Sequence, residues 1–293
     1  MTASLFSTAE KPRLGLYITV ASGLTNMVLD ALFVAVLGDG IEGAAWATAI
    51  SQCVGGFIPL VYFARRNSSR LKLGKTRWNG RDFAKVCGNG SSELMSNVAM
   101  SLVNMLYNVQ LLKYVGQDGI AAYGVLMYVS LVFLAIFIGF SMGSAPVVSY
   151  HYGAENKEEL HSLLRKSLAV ITVSSVLMFI AAEFLAGPLS RIFVGYDADL
   201  FNLTKRAFFV YSFSFLLAGF NIYCSSFFTA LNNGAISALI SFLRTLIFEV
   251  GSVLLLPLLF RVDGIWMSVD VAELLALIVS VIFLVRKRKQ YGY

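Results

Sequence analysis

Apolar runs of about twenty residues, the length an α-helix needs to cross the hydrocarbon core of a bilayer, recur along the whole chain. Windowed hydropathy predicts eight spans, at roughly 15–37, 44–64, 84–114, 120–150, 165–187, 203–230, 235–260 and 264–285. The predicted fold is therefore an all-α polytopic membrane protein with about eight transmembrane helices. One stretch breaks the pattern for longer than a turn: RRNSSRLKLGKTRWNGR, residues 65–81, is basic and has no apolar periodicity. It predicts a boundary between two bundles, giving units at 1–64 and 84–293 joined by a basic linker at 65–83.

Polar residues inside the spans carry the functional information, because hydrocarbon offers them no partner. Asn26 and Asp30 are four apart in the first span, so they project from one helix face, with Thr19 and Ser22 beside them. After the turn GDGIEG, Thr48, Ser51 and Gln52 line one side of the next span. A carboxylate, an amide oxygen and a hydroxyl are hard oxygen donors suited to Na⁺ or to proton exchange. Polar bonding that only holds helices together accounts for the same spacing, and spacing alone leaves both open.

A second stripe runs Glu93, Asn97, Ser101, Asn104, Asn108. At about 100° per residue it covers less than a quarter of the helix circumference, which favours a water-filled substrate cavity over interhelical bonding. Tyr211, Ser214, Asn221 and Ser225 form a third stripe with the same two readings. Arg244, Glu249, Asp270 and Glu273 are charges within the last two spans. If those helices are antiparallel neighbours, Arg244 and Glu273 lie at one depth and can form an ion pair. Glu183, near a span end, is expected to reach the interface.

Composition narrows the class. Hydrophobic residues make up 57% of the chain and charged residues 14%, which excludes an ordinary soluble domain. The formal charge of +6 does not point to nucleic acid, because the basic residues sit in loops between apolar spans. With the N-terminus cytoplasmic, those loops place 17 Lys and Arg on one side and five on the other, predicting that both termini are cytoplasmic. The N-terminus has no basic, then apolar, signal-peptide pattern. Cys53, Cys87 and Cys224 are scattered, and His151 and His161 fall in a charged loop, so neither a disulfide framework nor a metal site is expected. No phosphate-binding glycine loop or nucleophile–base set is present, so the chain does not read as an enzyme and needs no cofactor. A short similarity between GAAWATAISQ at 43–52 and GIWMSVDVAE at 264–273 suggests an internal repeat.

Several of these motifs, in the same order, resemble the multidrug and toxic compound extrusion (MATE) transporters. They are the N-x-x-x-D pair at Asn26 and Asp30, the G-x-G-x-x-G-A-A turn, and the Ala-Thr ending at Thr48. SMGSAPVVSYHYGAENKEEL at 141–160 and SFLRTLIF…GIWMSVDVAE follow. The resemblance implies that residues 1–64 are the last two helices of an N-terminal lobe and 84–293 a six-helix C-terminal lobe. It implies that Asn26, Asp30 and Thr48 bind a coupling cation, H⁺ or Na⁺. The implied activity is plasma-membrane export of small organic, often cationic, compounds; the polar stripes, read from their spacing, place Glu93, Asn97, Asn104, Tyr211 and Asn221 at its substrate cavity. The family has twelve helices, and this chain aligns from the fifth; the four preceding helices and the helix-one acid would have to be supplied upstream. A lipid-linked or polysaccharide flippase of the same superfamily is the first alternative. A non-transporting remnant or partner subunit is the second.

Overall fold

The computed structural model describes Phe6, Ala9 and residues 11–65 and 79–293, with the side chains of 81–82 and 84–97 left aside. Most of the 65–83 linker, and the side chains of Glu93 and Asn97, therefore lie outside the described residues. Every regular element among the described residues is helical. The chain divides into two compact units, Met1–Asn79 and Gly80–Tyr293, a division that falls within the basic stretch.

The first unit is a helical hairpin. Helix α1, Pro12–Asp30, begins with Pro at its first turn, where no amide hydrogen bond is lost, and runs without an end into a π-helical segment, Ala31–Val36. Gly38 and Gly40 take φ of +76° and +54°, the left-handed conformation that a side chain resists, and reverse the chain into α2, Gly40–Ala64. The helices approach closely where side chains are small. The Ser22 hydroxyl donates to the Ser51 carbonyl at 2.7 Å, and a Cβ on Gly55 would stand 3.1 Å from Ser22 Oγ. Large apolar side chains such as Tyr17, Met27, Trp46 and Phe57 remain exposed, as expected of helices whose surroundings are lipid.

The second unit opens with three long helices: α3 (Gly80–Tyr114), α4 (Gln117–Gly153) and α5 (Lys157–Val194). Next come α6 (Ala198–Tyr211) and α7 (Ser214–Ala230), then α8 (Gly234–Phe242), which passes through a second π segment, Leu243–Glu249, into α9 (Val250–Trp266). Helix α10, Ser268–Tyr291, closes the chain. Polar caps start α5, α6 and α8: Asn156 accepts from the Glu159 amide, Asp197 from Asp199 and Leu200, and Asn233 from Ile236. Two of these helices consequently begin five to eight residues before the apolar windows predicted at 165 and 203.

Among the described residues, six helices, or continuous runs of them, are long and apolar enough to cross a membrane, and the pair α6–α7 makes a seventh as one span bent by 48°. The eighth predicted span coincides with α3, 35 residues of continuous helix. The bend has a local cause. Ser212 donates to the Phe209 carbonyl at 3.0 Å and to the Glu183 carboxylate, while Ser214 donates to Tyr211 at 2.7 Å, so hydroxyls compete with the helical ladder there. Glu183 is thus held inside the unit by Ser212 and does not run out to the interface as predicted.

The predicted boundary between the last two spans appears as a reversal at Arg261, φ +51°, inside the limits of α9. Gly264 permits the tight return: a Cβ there would lie 2.4 Å from the Leu256 carbonyl oxygen and 2.9 Å from the Pro257 nitrogen. Both are backbone atoms and cannot swing aside. Gly264→Ala should therefore cost about 1–3 kcal/mol, a lowered melting temperature in detergent being the readout. An unchanged melt would mean that the turn adjusts freely.

Apolar packing in the second unit forms two clusters. One gathers Tyr107, Leu111, Leu126, Phe208, Phe215 and Trp266, and the other Tyr223, Phe227, Phe228, Leu160 and the terminal Tyr291 and Tyr293. The polar site described next lies beside the first.

Candidate functional site

In the first unit, Asn26 and Asp30 stand one turn apart on α1, and Asp30 is the last α-helical residue before the π segment. Asn26 Nδ2 and Asp30 Oδ1 are buried and have no hydrogen-bond partner in the structure. Buried polar atoms of this kind are uncommon in a finished core and mark a place where a further donor or acceptor fits. Thr48 behaves differently. It is exposed, and its hydroxyl donates to the Ala44 carbonyl of its own turn at 2.9 Å, so no hydrogen bond ties it to Asp30. A threonine in a helix can always satisfy itself in this way, which sequence spacing does not reveal.

The second unit holds a partly open cavity of about 120 Å³ with both polar and apolar walls. Asn104 and Tyr107 of α3, Tyr123 of α4, Tyr211 of α6 and Ser214 of α7 contribute to its wall. Arg244, Thr245 and Glu249 of the π segment and Glu273 of α10 complete the polar part. Tyr123 donates to Asn104 Oδ1 at 2.8 Å and stacks on Tyr107, with ring centroids 4.8 Å apart. Tyr211 is hydrogen-bonded to Ser130. Methionines Met100 and Met127 line the rest, adaptable surfaces against a ligand or water.

Beside this cavity is a buried ionic cluster. The Arg244 guanidinium donates from Nε at 2.9 Å and also from Nη2, both to Glu273 Oε1. Asn221 donates to Glu273 Oε2 at 2.7 Å and to the Glu273 carbonyl at 2.9 Å, and its own oxygen accepts from Ser280 at 3.0 Å. Both Glu273 oxygens are therefore partnered. Asp270 takes a backbone hydrogen bond from Ser214, while its Oδ1 is buried without a partner.

Arg244 and Glu273 do meet, as their positions in antiparallel neighbouring helices predict. Of the residues predicted to line a substrate cavity, Asn104 and Tyr211 line this cavity, and Glu93 and Asn97 lie outside the described side chains. Asn221 does not. It is buried behind Glu273, which its amide supports, so its place on the polar stripe reports a partner in the bundle rather than a ligand. The sequence reading passed over Tyr107 and Tyr123. Tyr107 sits three residues after Asn104, on the same helix face, and that spacing was the available signal.

A bundle of membrane-spanning helices with buried acids, an internal ion pair and a polar cavity belongs to the class of polytopic membrane transport proteins. The MatE family pattern matches residues 94–254, just over half of the chain, and the chain belongs to that family, whose members are transporters and not enzymes. The multidrug export protein MepA of Staphylococcus aureus is 23% identical over 282 residues, covering 94% of this chain and 61% of MepA. The chain thus spans about three fifths of that relative's length. Among solved structures, a MATE protein crystallised in complex with MaL6 superposes with a TM-score of 0.88 at 18% identity, over 99% of this chain and 66% of that one. A multidrug resistance MATE transporter of the MOP superfamily, in an outward-facing conformation, gives 0.83 at 19% identity, over 99% and 65% respectively. These likenesses establish the fold that the motifs implied.

Proposed function

We propose that the chain forms the greater part of a secondary transporter that exports small organic, often cationic, compounds in exchange for H⁺ or Na⁺. The observation that carries this reading is membership of the MatE family together with similarity to a multidrug exporter along nearly the whole chain. Asp30 is the residue assigned to the coupling cation, with Asn26 beside it, because their buried Oδ1 and Nδ2 atoms are free. Thr48 joins such a site only if its hydroxyl leaves the Ala44 carbonyl. The protein lies in the plasma membrane with both termini cytoplasmic, on the strength of the 17-to-five division of Lys and Arg. The helices that precede the fifth in the family complete the first lobe, and alternating access moves the two lobes around a central path. A flippase for anionic lipid-linked sugars calls for a basic cavity; here Arg244 is outnumbered by Glu249 and Glu273.

The test is Asp30→Asn, expressed with the four N-terminal helices of a family member fused upstream, in cells lacking their own efflux pumps. Export driven by a H⁺ or Na⁺ gradient should fall at least tenfold, while drug binding to the purified protein persists. A variant that reaches the membrane in normal amount and still exports under the gradient would show that Asp30 is not the coupling group.

A further inference from the structure

The π segment Leu243–Glu249 achieves something that α winding at the same place would not. At 3.6 residues per turn, five residues turn the helix through about 500°, which would leave Arg244 and Glu249 about 140° apart. Hydrogen bonds from i to i+5 instead set the fifth residue about one turn above the first. Both side chains accordingly line the same cavity. Arg244 is committed to Glu273, and the second oxygen of Glu273 is committed to Asn221. The Glu249 side chain makes no hydrogen bond to another described residue.

The charge balance of the cluster follows. The groups facing Glu249 are Arg244 on its own segment, Glu273 on α10, Tyr107 on α3, Tyr123 on α4 and Tyr211 on α6, while Asp270 of α10 stands beside Glu273. Helix α8 carries no charged residue, and Arg261 and Asp263 lie at the far end of α9. Glu93 of α3 is outside the described side chains. In the cavity one guanidinium thus stands with two carboxylates, and it is bonded to one of them, Glu273. A carboxylate left ionised in such surroundings is unfavourable unless a positive charge joins it. Tyr107 adds an independent sign of unused bonding capacity: it is 2% exposed, it lines the cavity, and its hydroxyl has no partner among the described residues. The cavity volume of about 120 Å³ decides what enters. Drug-sized ligands occupy pockets of roughly 300 Å³ and more, whereas a water takes about 30 Å³, so the space suits protons and a few waters.

We propose that Glu249 is a proton-binding site of the second unit, separate from Asp30, with Arg244 as the fixed counter-ion of its neighbour. Cavity water delivers a proton to a Glu249 carboxylate oxygen, forming the O–H bond of the neutral acid, and the reverse step returns the proton to water with no change of oxidation state. The site goes beyond the export reading, since it resides wholly in the second unit and requires neither drug nor upstream helices.

The experiment is a pH titration of the full chain in lipid nanodiscs, followed by attenuated-total-reflection infrared spectroscopy. The C=O stretch of a protonated buried carboxyl should fade as pH rises. That band should be missing from Glu249→Gln and retained in Asp30→Asn. A Glu249→Gln spectrum matching the parent at every pH would overturn the proposal whatever the outcome of the transport assay. Glutamine has the shape of the neutral acid and should fold. If it does not, Glu249→Asp must keep the band with a displaced midpoint, and an undisplaced midpoint overturns the proposal equally.

Discussion

Arg244→Gln should destabilise the second unit by about 3–5 kcal/mol, the usual cost of removing one partner from a buried ion pair. The side chains of Arg244 and Glu273 are only 22% and 5% exposed, so bulk water does not replace the charge of the lost guanidinium. Glu273 would keep one oxygen on Asn221, but Oε1 would lose both of its donors. The penalty arises from the carboxylate left behind, so Arg244→Gln combined with Glu273→Gln should recover most of the loss. The comparison is a thermal or SDS unfolding series on the four proteins of that cycle. A single variant as stable as the parent, or a double variant less stable than the sum of the singles, would mean that the pair does not hold the fold. Arg244→Lys should fall between, because one ammonium cannot reproduce the two-nitrogen contact on a single oxygen.

Asn221→Leu, which keeps the number and branching of side-chain heavy atoms, should cost about 3 kcal/mol. Asn221 is 1% exposed and serves three groups at once, the Glu273 carbonyl, Glu273 Oε2 and the Ser280 hydroxyl. Each buried group left unsatisfied costs roughly 1–3 kcal/mol, and local rearrangement of Ser280 moderates the total. Because Asn221 and Arg244 act on one carboxylate, their variants should be non-additive in a double-mutant cycle. The same unfolding assay measures this coupling. Strict additivity would show that Asn221 and Arg244 act independently. Asn221→Leu is also expected to leave drug binding intact, since the side chain is buried behind Glu273. Loss of binding with unchanged stability would return Asn221 to the substrate-facing role that its stripe suggests.

The path of the helices was legible from local chemistry. Apolar runs long enough for a bilayer marked the spans and Gly38 and Gly40 marked the first turn, whereas the caps Asn156 and Asp197 started two helices earlier than the apolar windows did. Those signals reside in a residue and its immediate neighbours, which is why they survive without tertiary information. The N-x-x-x-D pair and the 141–160 motif likewise pointed to the family that the chain belongs to.

What each polar side chain does was decided only by the tertiary structure. An i, i+4 stripe specifies a helix face but not what stands opposite it. Asn104 met a tyrosine and a cavity, Asn221 met Glu273, and Thr48 was satisfied within its own turn. The π winding after Asp30 and around Arg244 and Glu249 has no period in the sequence, because it changes the backbone register without changing the apolar pattern. It is that winding, together with the approach of α10, that brings Arg244, Glu249 and Glu273 to one cavity. The sequence by itself determined where this chain crosses the membrane and which residues the crossing leaves polar. Which of them face a ligand and which face one another depended on contacts between helices far apart in the chain.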